Sequence, residues 1–307
     1  MQIRLRSILL ALGMLLIGVH LLVPISSDVQ IAVMLLFLLA FGIPHGALDY
    51  YVDRRFSDAS PSGHALLFLS KYFLNMGLYA IIWYFFPTLA LLLFILITAY
   101  HFGEIDWMGR VNSPYHRVFY FILGLGWIVF LLCRHMDEAV SIFILMGQSR
   151  YTADAYLTIA KKLLPVSFIV LWVLHAVLLV FNRTFFKSNK EFLFSILQIL
   201  MLSLINIFLP LWLCFAFYFG LWHSLLSFDV IRGQLAISGD LNGWKKLLLK
   251  SIPYSLLAWA GLLVFMKYRL FEMEMAHVFQ LLFIGIAVLT LPHLQVFTKL
   301  KVDPRSS

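Results

Sequence analysis

Long apolar stretches constrain this chain more than any other feature. They recur along most of the sequence at lengths near the roughly 20 residues that a helix needs to cross a bilayer, and Pro, Gly and charged residues separate them. Hydrophobic residues make up 62% of the 307 positions and charged residues 12%, with a mean hydropathy of +0.93. These values lie far outside the range of soluble globular proteins. We predict an integral membrane protein.

The type of spanning element follows from hydrogen bonding in lipid. Each span must pair its own backbone groups, and these runs are too long for barrel strands and lack their alternation. The sequence therefore predicts an all-α, polytopic integral membrane helix bundle of eight to ten spans, as a single transmembrane domain over residues 1–307. Ten helices are preferred, at residues 7–25, 29–47, 64–86, 88–103, 115–133, 163–182, 191–208, 210–230, 247–267 and 276–298.

Three local features refine this prediction. The apolar centre of residues 137–150 is too short to cross, and we expect an interfacial or re-entrant piece there. Pro87 and Pro210 mark tight turns, because proline is tolerated at the start of a helix. The N-terminal run, Ile8 to Ile25, resembles a signal sequence but has no clear small-x-small cleavage site after it, so we expect it to be the first helix of the mature protein.

The distribution of basic residues predicts the orientation. Cytoplasmic loops carry an excess of Lys and Arg. With the N-terminus inside, 17 of the 23 basic residues fall on the inner side and 6 on the outer side. Both termini are therefore predicted to be cytoplasmic in a multi-pass protein of the cell membrane. The net charge of +8 fits this topology, and no basic tract with aromatic residues indicates a nucleic-acid partner.

Four of the ten histidines fall at a similar predicted depth. His45, His101, His223 and His293 lie towards the inner ends of the second, fourth, eighth and tenth helices. Polar groups at membrane depth are costly and usually mark sites that face the bundle interior. One such histidine often only bonds to a neighbouring helix. Four in one layer indicate a metal, a haem or a proton path.

Polar residues follow three of these histidines closely. Asp49 comes one helical turn after His45, and Glu104 and Asp106 come just after His101. Ser224 and Asp229 lie near His223. The carboxylates are candidates to orient the imidazoles, with helix termination as the alternative for each. Among the other histidines, His175 is the one we keep in reserve, because it lies in mid-helix. Interfacial or merely hydrogen-bonded side chains are expected for the rest, which are His20, His64, His116, His135 and His277.

The type of side chain available limits which metals or cofactors are expected. An imidazole set without thiolates suits Fe(II), Zn or Cu. A di-haem electron carrier would need ligands at two depths, and a transporter with a histidine proton relay would be expected to show internal repeats and more buried carboxylates. The aromatic runs at 83–86 and 215–223 could line a substrate tunnel or simply pack between helices and at the interface.

The motifs that carry these histidines resemble a known family. "FGIPHGALDY", "YHFGEIDW", "YFGLWHS" and the late "LPH" together resemble the Brp/Blh family, bacteriorhodopsin-related membrane proteins that cleave β-carotene to retinal. The resemblance extends in order from the second helix to the tenth. The Pro-His-Gly-x-x-Asp and Trp-His-Ser pieces are the most distinctive.

The resemblance implies a β-carotene 15,15'-dioxygenase. Its cofactor would be a non-haem Fe(2+) held by His45, His101 and His223, and O2 would add across the central double bond of the carotenoid. The substrate would enter from the membrane lipid, and the product suggests a functional link to a rhodopsin.

One position departs from the family pattern. The family has a further histidine four residues after His223, and here that position is Ser227; Leu226 also stands where a basic residue is common. Either His293 supplies a fourth imidazole, or the metal has three protein nitrogens and an open site. The third alternative is a diverged member that acts on another carotenoid or isoprenoid, or a non-enzymatic partner of a rhodopsin. We take the four histidines as candidate ligands and place Asp49, Glu104, Asp106 and Ser227 beside them.

Overall fold

The secondary structure is helical throughout the described part of the chain. The computed structural model describes residues 2–58, 60–110, 114–186, 188–269 and 275–300, with side chains except at 2, 61, 185, 265–269 and 275–278. The α-helices are α1 (Gln2–Leu22), α2 (Ser27–Phe37), α3 (Ile43–Gly46), α4 (Asp49–Arg54), α5 (Pro61–Phe85), α6 (Pro87–Trp107), α7 (His116–Arg134), α8 (Met136–Leu145), α9 (Arg150–Phe181), α10 (Asn189–Phe208), α11 (Leu211–Phe215), α12 (Ser224–Gln234), α13 (Leu241–Arg269) and α14 (Met275–Phe297). Two π-helices, π1 (Leu38–Gly42) and π2 (Ala216–His223), and one short 3-10 turn (Arg183–Phe185) complete the set.

Within the described residues, ten helical segments are long and apolar enough to cross a membrane, which confirms the predicted number. These spans one to ten are Ile3–Leu22, Ser27–Arg54, Ser62–Phe85, Pro87–Trp107, His116–Arg134, Arg150–Phe181, Asn189–Phe208, Leu211–Gln234, Leu241–Val264 and Phe279–Phe297. Span six begins earlier than the predicted residue 163. Charged residues at 154, 161 and 162 do not stop a helix, although they lower the hydropathy on which the prediction depended.

The predicted turns are found where proline stands. α6 begins at Pro87, and Pro210 is the N-cap of α11. The helix α8, Met136–Leu145, has 10 residues and does not qualify as a span, as expected for this segment. Pro165, Pro253 and Pro292 lie inside helices, which neighbouring groups make tolerable in membrane proteins.

Two spans are interrupted by π-helical turns. Span two runs through α2, π1, α3 and α4, and span eight runs through α11, π2 and α12. π-Helical segments are rare and occur frequently at functional sites. His45 lies three residues after π1, and His223 is the last residue of π2. The sequence did not predict either π-helix.

The described chain forms two compact units. Unit 1 comprises Met1–Gly42, Ala99–Ala139 and Leu157–Val230, in which α1 packs on α10, and α2 packs on α11 and π2. Helices α6 and α7 also approach closely in unit 1. A Cβ atom added at Gly103 would lie 1.9 Å from the Tyr120 carbonyl oxygen, and one at Gly124 would lie 1.9 Å from the Ala99 carbonyl oxygen. Glycine is thus required at both positions of this crossing.

Unit 2 comprises Ile43–Thr98, Val140–Tyr156 and Ile231–Ser307. Helix α14 packs on α5 and α4, and α13 packs on α3. A hydrogen bond from Asn75 to Gln295 (2.7 Å) joins α5 to α14. The prediction of one transmembrane domain and the cytoplasmic position of both termini stay predictions.

Candidate active site

Unit 1 contains the first of two close histidine pairs. His101 on α6 and His223 at the end of π2 have ring centroids 4.8 Å apart, with the rings at 75°. Both side chains are buried. Two residues 122 positions apart in the sequence, both predicted as metal ligands, therefore meet inside one unit of the fold.

Aromatic rings pack around this pair. The Phe102 ring lies 4.3 Å from that of His223, and the Phe219 ring is stacked on His223 at 6.0 Å. The nearest Glu104 oxygen is 3.8 Å from His101 Nδ1, too long for a direct hydrogen bond. Glu104 instead accepts a weak hydrogen bond from the Tyr100 hydroxyl (3.4 Å). Glu104 therefore lies near His101, as predicted, but its carboxylate does not bond His101 Nδ1 directly.

Asp106 braces the π-helix that ends at His223. Its carboxylate accepts hydrogen bonds from the Trp222 indole Nε1 (2.7 Å) and the Tyr218 hydroxyl (2.9 Å). The Arg6 guanidinium interacts electrostatically with Asp106 and lies 5.5 Å from the Trp222 ring centroid. Asp106 therefore anchors the residue immediately before His223. Sequence reasoning did not identify Arg6, Tyr218 or Trp222, although Trp222 stands inside the quoted Trp-His-Ser motif.

Ser227 lies on α12, one turn after His223, and is fully buried. Its Oγ has no hydrogen-bond partner among the described residues. An unsatisfied buried hydroxyl is costly and calls for an explanation. This is the position at which the family pattern has a histidine.

Unit 2 contains the second histidine pair. His45 on α3 and His293 on α14 have ring centroids 4.9 Å apart at 81°, and both side chains are buried. Pro44, just before His45, lies in the single turn of α3 that follows π1. Helices α3 and α14 are separated by more than 200 residues of sequence, and the fold of this unit brings their histidines together.

A carboxylate holds one member of this second pair. His293 Nδ1 lies 2.8 and 2.9 Å from the two oxygens of Asp49, and the Tyr72 hydroxyl donates to the same carboxylate (3.1 Å). Because a carboxylate accepts, Nδ1 carries the proton, and Nε2 is the ring nitrogen with a lone pair that could bind a metal. The sequence placed Asp49 beside His45, but the structure places it against His293. Tyr72 had no motif signal.

The remaining histidines mostly make ordinary hydrogen bonds, as expected. His20 accepts from the Ile25 amide (3.3 Å), and His64 bonds Asp53 (3.0 Å). His135 bonds the backbone and side-chain oxygens of Asn206, both at 3.1 Å, and burial lowers its pKa to about 4. The His116 ring lies near that of Tyr120. The side chain of His277 lies outside the described residues.

His175 has a mixed environment. Its Nδ1 donates to the Leu171 carbonyl (2.7 Å), which satisfies one ring nitrogen. It also lines a small cavity in unit 1 together with Asp106 and Gln198. The backbone bond and burial are those of a hydrogen-bonded core histidine, and this histidine belongs to neither pair.

The donor chemistry of the pairs fits a transition-metal ion such as iron, zinc or copper. His45, His101 and His223 are all buried, and each offers one ring nitrogen that can bind a metal. Imidazole is a ligand for iron, zinc and copper alike. The Asp49–His293 bond is the carboxylate–histidine arrangement that commonly orients metal-bound imidazoles. The described histidine pairs therefore supply suitable ligands without any thiolate.

Comparison with known proteins agrees with the motifs. The family model "Beta-carotene 15,15'-dioxygenase" matches residues 36–301. A curated relative, the β-carotene 15,15'-dioxygenase of Uncultured marine bacterium 66A03, is 26% identical over 261 residues, which are 82% of this chain and 87% of the relative. No solved structure matches the chain. Since the family model covers far more than half of the sequence, the chain belongs to the β-carotene 15,15'-dioxygenase family of enzymes, as its histidine motifs indicated.

Proposed function

We propose that this protein is a membrane-embedded non-haem iron enzyme that cleaves β-carotene with O2 at its central double bond to give two molecules of retinal. One observation carries the proposal. The family match over residues 36–301 encloses all four motif histidines, and each of them is buried within 5 Å of a second imidazole. Burial of paired imidazoles in apolar spans is difficult to explain without a ligand.

His45, His101, His223 and His293 would hold the ion. When bound, ferrous iron supplies the electron density that activates O2. Asp49 and Tyr72 keep the His293 ring in one orientation and one tautomer. Asp106 fixes the end of π2 through Trp222, which limits the movement of His223. These residues preorganise the ligands, so that less ordering is needed when the metal binds.

The chemistry needs little acid or base. One C=C bond breaks, each of its carbons gains one oxygen atom, and two aldehydes form without net proton transfer. We therefore assign neither Glu104 nor Asp49 a role as an acid or a base in the reaction. The apolar surroundings of His223, among them Phe102 and Phe219, exclude water from the reacting carbons.

The ten apolar spans support a substrate route through lipid. A carotenoid is dissolved in the hydrocarbon core of the bilayer, and a multi-pass protein of the cell membrane reaches it there directly. Retinal leaves the enzyme as a lipophilic aldehyde that a rhodopsin in the same membrane can take up.

The test is retinal production in a bacterial host engineered to make β-carotene. Expression of the chain is expected to consume carotene and yield retinal, and the His45→Ala variant is expected to yield none at equal membrane abundance. Iron content of the purified proteins, measured by mass spectrometry, should fall in parallel. Retinal from the His45→Ala variant, or a wild-type protein without iron, contradicts the proposal.

Ser227 supports a second candidate, a diverged member that cleaves a different polyene. The buried hydroxyl at a family histidine position is the specific observation behind it. The same host, supplied with acyclic or hydroxylated carotenoids, separates the two. Consumption of one of these with β-carotene left intact favours the diverged enzyme.

A further inference from the structure

Three rings form a nearly parallel row that ends at His223. Phe215 and Phe219 are stacked with centroids 5.0 Å apart and planes at 7°, and Phe219 and His223 follow at 6.0 Å and 20°. Successive members are four residues apart in sequence. Phe219 and His223 lie in π2, and Phe215 directly precedes it, so the three side chains leave the helix on one side. We call Phe215, Phe219 and His223 the aromatic row.

The row includes partly exposed rings in the span that is otherwise the most buried. Of the ten spans, span eight has the largest buried share, 83%. Phe217, Tyr218 and Trp222 are fully enclosed, whereas Phe215 and Phe219 stay partly exposed. Rings that only filled the core would be expected to be enclosed like Phe217. A partly exposed ring, Phe219, is therefore stacked on a buried candidate metal ligand, His223.

Phe102 of unit 1 packs against the row, and two more aromatic residues lie on the span beside π2. Phe102 is buried and lies 5.6 Å from Phe219. On span two, Phe37 and Phe41 are partly exposed and lie 6.1 Å apart. A Cβ atom at Gly220 would come within 2.8 Å of Phe37 Cβ, so glycine there allows span two to lie directly beside π2.

We propose that the aromatic row is the seat of a conjugated polyene and that Phe219 sets which double bond lies beside His223. Stacked rings present their edges to a chain that runs along the row. Ring edges are positive and the face of a polyene is electron-rich, so this edge-to-face arrangement is favourable. Rigid rings also lose little conformational entropy on binding. The inference rests on the proposed function and deepens it.

The products report the position of the polyene. Cleavage at the central bond of a symmetric carotene gives two identical aldehydes. If the chain slides along the row by one double bond, the same O2 addition gives two aldehydes of unequal length. A residue that fixes the register therefore controls the product pattern without changing the metal.

The experiment uses the purified full chain in lipid nanodiscs, loaded with iron and β-carotene. We compare the wild type with Phe219→Ala, Phe219→Tyr and Phe215→Ala, and use Phe208→Ala as a matched control. Phe208 is 46% exposed, lies on α10 of the same unit and is not in the row. Carotene affinity is measured without O2 by the shift in carotene absorbance, and products are separated by chromatography.

We expect Phe219→Ala to bind carotene about tenfold more weakly, as the loss of one aromatic contact implies, and to release aldehydes of unequal length. Phe215→Ala should show a smaller loss of affinity, because it lies farther from His223. Phe219→Tyr keeps the ring and should keep the wild-type pattern. Iron content should be the same in all variants, which separates a seat for the substrate from general damage.

Two results overturn the inference in distinguishable ways. If the wild type cleaves carotene while Phe219→Ala and Phe215→Ala match it and Phe208→Ala in affinity and products, the row is not the seat and the proposed function stands. If the iron-loaded wild type neither binds nor cleaves carotene, the proposed function fails and the inference falls with it. Should Phe219→Ala not fold, Phe219→Leu and Phe215→Ala decide the same question.

Discussion

The His101–His223 pair of unit 1 and the His45–His293 pair of unit 2 have almost the same ring spacing, 4.8 and 4.9 Å, but different surroundings. In unit 2, two oxygens of Asp49 bond the His293 ring directly. In unit 1, aromatic rings pack against His223, and the Glu104 carboxylate lies beyond hydrogen-bond distance of His101. The pair in unit 2 is oriented by hydrogen bonds to a charged carboxylate, and the pair in unit 1 is held by the packing of aromatic rings.

The difference predicts different sensitivities. A charge-assisted hydrogen bond is weakened when a carboxylate becomes an amide of the same size, because the charge and one acceptor oxygen are lost. A packed ring tolerates a change of charge nearby but not a change of volume. Isosteric substitutions should therefore disturb the pair in unit 2, and changes in packing or in the brace of π2 should disturb the pair in unit 1.

The largest effect is expected from removing one imidazole of either pair. His101→Ala and His45→Ala should each reduce iron content and lower retinal formation by at least ~100-fold, because even partners behind the ligands contribute about 10–100-fold. His20→Ala is the control, since His20 only accepts from the Ile25 amide. If one of the two variants retained its iron and its activity, only the other pair would serve the metal.

The brace of π2 should be the next most sensitive feature. Asp106→Leu removes the acceptor of Trp222 and Tyr218 and leaves the buried Arg6 without this carboxylate. The two buried donors, Trp222 Nε1 and the Tyr218 hydroxyl, would lose their acceptor, and each unsatisfied buried donor costs about 1–3 kcal/mol. Thermal unfolding in detergent, followed by circular dichroism, should show the loss. Asp106→Asn keeps one acceptor and should cost less, and equal stability of all three proteins would contradict the brace.

The next largest effect is expected at Asp49, in contrast to Glu104. Asp49→Asn weakens the bond to His293 and should lower iron affinity by about 10–100-fold, whereas Glu104→Gln should change it by less than about threefold. Tyr72→Phe should lie between them. Iron titration of the metal-free proteins measures all three. Equal losses for Asp49→Asn and Glu104→Gln would remove the distinction between the two pairs.

His135 provides a reference imidazole outside both pairs and outside the spans. It bonds Asn206 and is near Arg134 and Glu138, and its pKa of about 4 lies below the ordinary value of 6.5. The unfolded chain therefore binds more protons between these values, so stability is full above about pH 6.5 and falls towards pH 4. At pH 5.5 the loss is about 1.4 kcal/mol.

The difference in unfolding free energy between the wild type and His135→Gln, measured from pH 7.5 to 5.5, isolates this contribution from the other histidines. We expect the difference to shrink as the pH falls. A difference that is constant over this range would show that His135 does not titrate as its burial implies.

The smallest effect is expected at Ser227. Ser227→His restores the family pattern one turn after His223 and should tighten iron binding by about three- to tenfold, because it adds an imidazole next to the His101–His223 pair. Ser227→Ala, which removes only the unsatisfied hydroxyl, is the control and should leave iron affinity unchanged. Tighter binding in both variants would assign the gain to relief of the buried hydroxyl.

Several structural features could be predicted from the sequence because they depend on local composition. Apolar length gave the ten spans, and the prolines at 87 and 210 gave the turns. The predicted start of span six was wrong, because a hydropathy reading ends at charges whereas the helix continues through them from Arg150 to Phe181. Motifs in order along the chain identified the family.

Contacts between residues that are distant in the sequence could not be predicted from local composition. The motif "IPHGALDY" places Asp49 one turn from His45, yet the closest carboxylate bond is to His293, 244 residues away. The pairing of His101 with His223, the bond from Tyr72 and the brace of Trp222 on Asp106 are also long-range contacts. Spacing along one helix does not specify the partner on another helix.

The sequence by itself determined that the chain is helical, has about ten segments long and apolar enough to cross a membrane, and belongs to its family, since these follow from the cost of unpaired backbone in lipid and from motif order. Only the tertiary structure decided which imidazoles pair and which carboxylate orients His293. It also decided that one π-helical turn, 38–42, precedes His45 and that another, 216–223, ends at His223. The physical reason is that such contacts and helix irregularities depend on packing between distant segments, which no local pattern encodes.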